Sequence, residues 1–211
     1  MIKQRKVKPE SDYTVSSIIY NGMIKRNPVL AAGMVIAPVV VFANTFMNAV
    51  TLVISFSCIT FLTLLISSFV PQKIVYTVRI ILYTLIGAIV YIPTTIFLEM
   101  FIHERIANMG VYFPLLITNS LIISRSETTF FAENKGKMLL DIIFSILGYD
   151  AAVLLVGFVR EIISTGEING NILAVPVTLP GLSFPYGGFI ILGIMAALLR
   201  CIIWIVNKVK G

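Results

Sequence analysis

The sequence predicts an all-α integral membrane protein of six transmembrane helices, the first and fourth interrupted, and three observations carry that prediction. Hydrophobic residues make up 58% of the 211-residue chain and charged residues 12%, about half the ~25% charge content of a soluble domain. Mean hydropathy is +0.97, so no aqueous fold could hide this much apolar surface and the solvent is lipid. The apolar runs approach the ~20 residues that cross about 30 Å of hydrocarbon, and prolines and polar residues interrupt two of them.

Taken in order, the spans fall near residues 29–47, 49–70, 77–101, 112–124, 138–159 and 187–207. Each is helical, because a backbone in lipid must satisfy its own hydrogen bonds. Residues 1–28 form a polar, basic N-terminal arm and residues 29–211 a single membrane domain. The run Val29–Ala43 resembles a signal core, but apolar sequence continues to Val70 with a weak break at Asn44–Asn48, which reads as a helical hairpin instead of a cleaved leader. Gly33 and Pro38 interrupt the first span; Pro114, Thr118, Asn119 and Ser120 interrupt the short fourth one. Glycines and prolines from Gly166 to Pro185 predict an irregular loop over 160–186.

Charge sets the orientation. Lys3, Arg5, Lys6, Lys8, Lys25 and Arg26 lie before the first span, Lys73 and Arg79 after the second, Arg125, Lys135 and Lys137 after the fourth, and Lys208 and Lys210 at the C-terminus. The opposite side keeps Arg105 and Arg160. The positive-inside rule then places both termini in the cytoplasm of a multi-pass protein. Net charge is +6, yet the basic residues cluster at span ends and not on an aromatic-studded face, so nucleic acid is not a partner. No metal-ligand spacing and no nucleophile–base set is visible, which excludes a hydrolytic enzyme and leaves no catalytic or metal-ligating candidate. His103 reads as a membrane-surface residue, and Cys58 and Cys201 are isolated within apolar runs.

One internal correspondence bears on architecture. Asn27-Pro28-Val29-Leu30 leads into the break at Gly33 and Ile36-Ala37-Pro38, and Phe113-Pro114-Leu115-Leu116 leads into Thr118-Asn119-Ser120. Two readings stand here: an inverted repeat of three plus three spans with a midplane site at its interface, or coincidence among short proline-containing strings.

The chain resembles the small six-helix membrane subunits of the Rnf and Nqr complexes, on Asn27-Pro28-Val29-Leu30, Val78-Arg79-Ile80, Phe113 to Asn119, Ser124-Arg125-Ser126-Glu127, Asp141, Gly157 to Glu161, and Gly187 to Gly193 in that order. The basic arm looks like that of the E-type subunit of Rnf and the D-type subunit of Nqr. The resemblance implies an inverted 3+3 repeat in a prokaryotic inner membrane, in a redox-driven ion-translocating electron transport complex. It also implies other membrane subunits as partners, among them a related one of opposite orientation, with flavin-bearing subunits as further candidates. In the family, paired subunits hold a [2Fe–2S] cluster through one cysteine in each interrupted helix, four thiolates in all. Here those positions are Ala37 and Ser120, so the expectation is a cluster-free chain, structural or ion-conducting. The alternative is a secondary transporter or channel for a small solute or cation on the same scaffold.

Ionisable groups inside lipid usually face protein or water. Asn119, Ser120 and Asp150 are therefore candidates for a midplane site or ion path. Asp141 and Asp150 are nine residues apart, about two and a half helical turns, and fall on opposite faces, with Asp141 near the cytoplasmic end as a solvated cap. Arg125 with Glu127 and Arg160 with Glu161 read as local ion pairs and anchors just beyond span ends, or as gating and docking residues. Gly187, Gly188 and Gly193 permit close helix packing.

Overall fold

The computed structural model describes residues 15–71, 73–128, 135–172 and 178–210; Lys3, Arg5, Lys6, Lys8 and Pro176 lie outside them. Four helices are long and apolar enough to cross a membrane among the described residues. They are α3 (Phe46–Ser67), α4 (Tyr76–Met109), α6 (Lys135–Thr165) and α7 (Pro185–Lys210). They coincide with the second, third, fifth and sixth predicted spans, because long apolar runs without breaks leave helix as the only solution in lipid. The helix α4 departs from helical geometry at Ile102, where the predicted third span ends.

The first and fourth spans are broken segments and not through-going helices. After Asn27 the chain makes tight turns, passes left-handed at Gly33 (φ 66°) and Val35 (φ 55°), and re-forms as α2, Ile36–Phe42. A left-handed conformation is uncommon for a β-branched residue such as Val35, and it ends any continuous helix there. The second break runs through 3₁₀ turns at Gly110–Tyr112 and Pro114–Thr118, becomes extended at Asn119 (ψ 142°), and opens α5 over Ser120–Thr128. The element order is thus broken segment, long helix, long helix, given twice.

Two departures from the predicted layout concern the connections. Residues Val15–Tyr20 form a helix, α1, continuing through a π-helical turn at Asn21–Lys25. This second half of the arm lies along α6, with Ile18 buried. The loop over 160–186 is more ordered than its composition suggests: α6 runs to Thr165, a hairpin pairs β1 (Glu167–Ile168) with β2 (Asn171–Ile172), and a 3₁₀ turn at Pro180–Ser183 precedes α7. Asn169-Gly170, both at positive φ, is the dipeptide that such two-residue hairpin turns prefer.

The core is the pairing of α3 with α6. Phe46 meets Glu161, Phe56 stacks on Tyr149 with ring centroids 3.7 Å apart, and Ser57 bonds Asp150. Ascending along one helix descends the other, so the two run antiparallel. Gly157 allows the approach: a Cβ there would stand 2.5 Å from that of Ala49. By contrast a Cβ on Gly193 would meet nothing within 4 Å among the described residues, so among them it plays no part in the expected glycine packing.

Gly157→Val should therefore destabilise the folded protein by about 1–3 kcal/mol through overpacking, seen as a lower midpoint for thermal unfolding in detergent. Gly193→Ala should leave that midpoint unchanged. Equal behaviour of the two variants would contradict this packing.

Candidate functional site

A helix that stops inside a membrane leaves its first N–H and last C=O groups without partners, and each unpaired group there is costly. Side chains do this work at both breaks. Asn27 accepts the amides of Val29 (3.0 Å) and Leu30 (2.9 Å) through Oδ1, while Nδ2 donates to the Gly148 carbonyl of α6 at 2.7 Å. Asn119 accepts the Ile122 amide (3.0 Å), and its Nδ2 donates to the Leu116 carbonyl (2.8 Å) and the Thr60 hydroxyl of α3 (3.0 Å). Each asparagine caps its own break and ties it to the central helix of the other half.

The outer ends of the short helices are braced by charge. Arg160 is wholly buried. Its guanidinium donates to the carbonyls of Val40 (2.6 Å) and Ala43 (3.1 Å) at the end of α2, and to those of Leu182, Ser183 and Phe184 before α7. Five backbone acceptors converge on one cation, at the negative end of a helix dipole. Gly188 makes room for this cradle, since a Cβ there would lie 2.7 Å from the Val40 carbonyl oxygen and 2.9 Å from Arg160 Nη1. The neighbouring Glu161 accepts the Phe46 amide opening α3 (2.7 Å) and the Asn169 amide of the hairpin (3.0 Å).

The short helix α5 is braced by two ion pairs. Arg79 at the start of α4 clasps Glu127 through both Nε and Nη2, with Tyr83 Oη donating to Glu127 Oε1 at 3.3 Å. Arg125 Nη1 reaches Asp141 Oδ2 of α6 at 2.9 Å. The expected local pairs, Arg125 with Glu127 and Arg160 with Glu161, are thus replaced by long-range partners. Residues one or two apart on a helix do not face each other. Asp141 is a salt-bridge partner and not a solvated cap. Sequence reasoning placed Arg79 among the orientation charges and in the Val78-Arg79-Ile80 stretch but missed its role as a brace, and its setting between two aliphatic residues is the signal that marks it.

Ala37 and Ser120 lie in the first turns of α2 and α5, and both are exposed. Alanine carries no donor atom and serine only a hydroxyl. Cys58 is on α3 and Cys201 is exposed on α7, and the described residues hold no group of three or more His, Cys, Asp or Glu side chains able to share a metal ion. The residues present do not fit a four-thiolate cluster. Asp150 stands apart from both braces, in the middle of α6, with Oδ2 accepting from Ser57 Oγ at 2.7 Å.

Because Lys carries three donors on one point and Arg five in a planar fork, Arg160→Lys should leave buried carbonyls unpaired at about 1–3 kcal/mol each. The expected outcome is a large loss of folded protein in size-exclusion chromatography. Wild-type yield and stability of this variant would contradict the cradle's role.

Comparison with known proteins gives a consistent answer. The family model described as Rnf-Nqr subunit, membrane protein, matches residues 15–198. The D-type subunit of the Na⁺-translocating NADH-quinone reductase of Shewanella loihica is 24% identical over 196 residues, covering 93% of each chain. Its counterpart in Pseudomonas aeruginosa is 25% identical over 198 residues, covering 93% of this chain and 88% of that one. The E-type subunit of the ion-translocating oxidoreductase complex of Buchnera aphidicola is 27% identical over 199 residues, covering 87% and 88% respectively. The matched region takes in both breaks, both braces and all four long helices except the end of α7, and the chain belongs to the Rnf-Nqr family of membrane subunits.

Proposed function

We propose that the chain is a membrane subunit of an Rnf/Nqr-like redox-driven, ion-translocating electron transport complex, and that it serves there without an iron–sulfur cluster, as a structural or ion-conducting subunit. The observation that carries the reading is the family match over residues 15–198, set beside the absence of thiolate at Ala37 and Ser120. Its relatives are named as subunits of such complexes, and the companions this implies are a related subunit of opposite orientation and flavin-bearing subunits in a prokaryotic inner membrane.

The architecture in this reading is an inverted 3+3 repeat with both termini cytoplasmic. Three features support it: the antiparallel course of α3 and α6, the repeated element order, and reciprocal contacts between halves. Gly188 of α7 receives the Val40 carbonyl of the first broken segment, and Gly87 of α4 lies against the Ile117 carbonyl of the second. Asn119 and Ser120 then belong to the interface where a midplane site forms. Arg125 and Glu127 brace one short helix and Arg160 and Glu161 the other, so these four residues govern any rocking of the half-helices and docking at their ends.

Affinity purification of the chain from its native membrane, with iron and acid-labile sulfide analysis, tests the proposal. The expected result is recovery with a related membrane subunit and a flavin-bearing one, and no cluster signal assigned to this subunit. Recovery of an active solute carrier without redox partners would replace the reading with that of a secondary transporter. A stoichiometric cluster on this chain would overturn the cluster-free assignment.

A further inference from the structure

Asp150 is the midpoint of the 31-residue α6, the deepest place that helix offers in a bilayer. It is 9% exposed. Its partner Ser57 is near the middle of α3, and their 2.7 Å hydrogen bond joins the two central helices. The next rung is the Phe56–Tyr149 stack, which closes the core side. Among the described residues Asp150 Oδ1 has no hydrogen-bond partner, and neither has the buried Tyr149 hydroxyl one residue away.

An ionised carboxylate accepts at two oxygens and about four lone-pair positions, and at this depth it must be paired or neutralised. The ion pairs formed among the described residues leave it out: Arg79 is engaged with Glu127 and Arg125 with Asp141. A hard divalent cation wants about six oxygen ligands, whereas one carboxylate and one hydroxyl bring three, and the described residues form no group of three or more His, Cys, Asp or Glu side chains there. The titratable side chains that feel its charge are the Cys58 thiol on α3 and the Tyr149 phenol on α6. Neither carries a compensating positive charge.

We propose that Asp150, steadied by Ser57, is a proton-binding site in the centre of the α3–α6 interface. The carboxyl takes up a proton to become neutral and releases it to become ionised, while the Ser57 hydroxyl donates to Oδ2. The site deepens the ion-conducting reading and rests on it for its use in the complex. Its existence needs only that α3 and α6 span the bilayer.

Dicyclohexylcarbodiimide, which modifies protonated carboxyls in apolar surroundings, tests the site in the intact complex in its membrane. Peptide mass spectrometry should find the adduct on Asp150, with yield falling as pH rises. The braced Asp141, Glu127 and Glu161 should stay unmodified as internal references. Asp150→Asn should remove the adduct. Ser57→Ala should increase it severalfold at neutral pH, because a hydrogen bond to the charged form favours that form; a purely structural hydroxyl would leave the yield unchanged. Should Asp150→Asn fail to assemble, the wild-type pH profile decides alone. No adduct on Asp150 at any pH that keeps the complex intact would overturn the proposal, as would protection by sodium at constant pH, which would make a metal cation the ligand. Labelling can succeed in a chain that purifies without redox partners, and can fail in one that purifies with them, so failure of the site and failure of the complex assignment are separable.

Discussion

Backbone groups at a helix end need partners wherever water is excluded, and the packing of this protein is organised around how the ends at its two broken segments are satisfied. The short helices α2 and α5 have seven and nine residues, far below the ~20 needed to span. They persist because protein atoms replace solvent. Asparagines take the exposed groups at the inner breaks, and the Arg160 fork takes the carbonyls where α2 ends. Each asparagine also bonds a long helix of the other half, and Arg160 reaches α2 from α6, so the broken segments and the long helices stabilise each other. This explains why the most buried charged side chain is an arginine with backbone partners: a planar fork with five donors suits converging carbonyls as no other side chain does.

Close approach is the second requirement. Lipid supplies no hydrophobic drive between helices, so packing and hydrogen bonds must hold them. Glycines occur where backbone meets backbone: Gly148 against Gly22, Gly157 against α3, Gly188 against the end of α2, and Gly87 against the second break. All four sit at contacts between elements of opposite halves of the chain. The faces of α4 and α7 turned away from the core are apolar and exposed, from Ile81 through Phe101 and from Phe189 through Ile205, as lipid-facing surfaces and subunit contacts require.

Much of this was legible from residues alone. Long apolar runs located α3, α4, α6 and α7; glycine and proline marked the first break, and proline with polar residues the second. The separation of Asp141 from Asp150 followed from helical periodicity. Charge partners were not legible, because proximity in sequence is a poor guide on a helix, where Arg160 and Glu161 point about 100° apart. Arg79 and Glu127 are separated by 48 residues and no local pattern joins them. The packing of Val15–Lys25 was hidden by its mixed polarity and by the charge of the arm before it. The hairpin had a signal in Asn169-Gly170 that the abundance of nearby glycine and proline masked. At the site, the missing thiols at Ala37 and Ser120 could be read only by position, through resemblance, since alanine and serine carry no signal of their own.

Capped by Asn27, Asn119 and Arg160, both broken segments should be as well protected as a continuous span. Hydrogen–deuterium exchange with mass spectrometry, on the protein in lipid nanodiscs, measures this directly. Peptides covering residues 27–46 and 114–128 should exchange as slowly as those from the centre of α3. Exchange of either segment at the rate of an exposed loop would contradict the account.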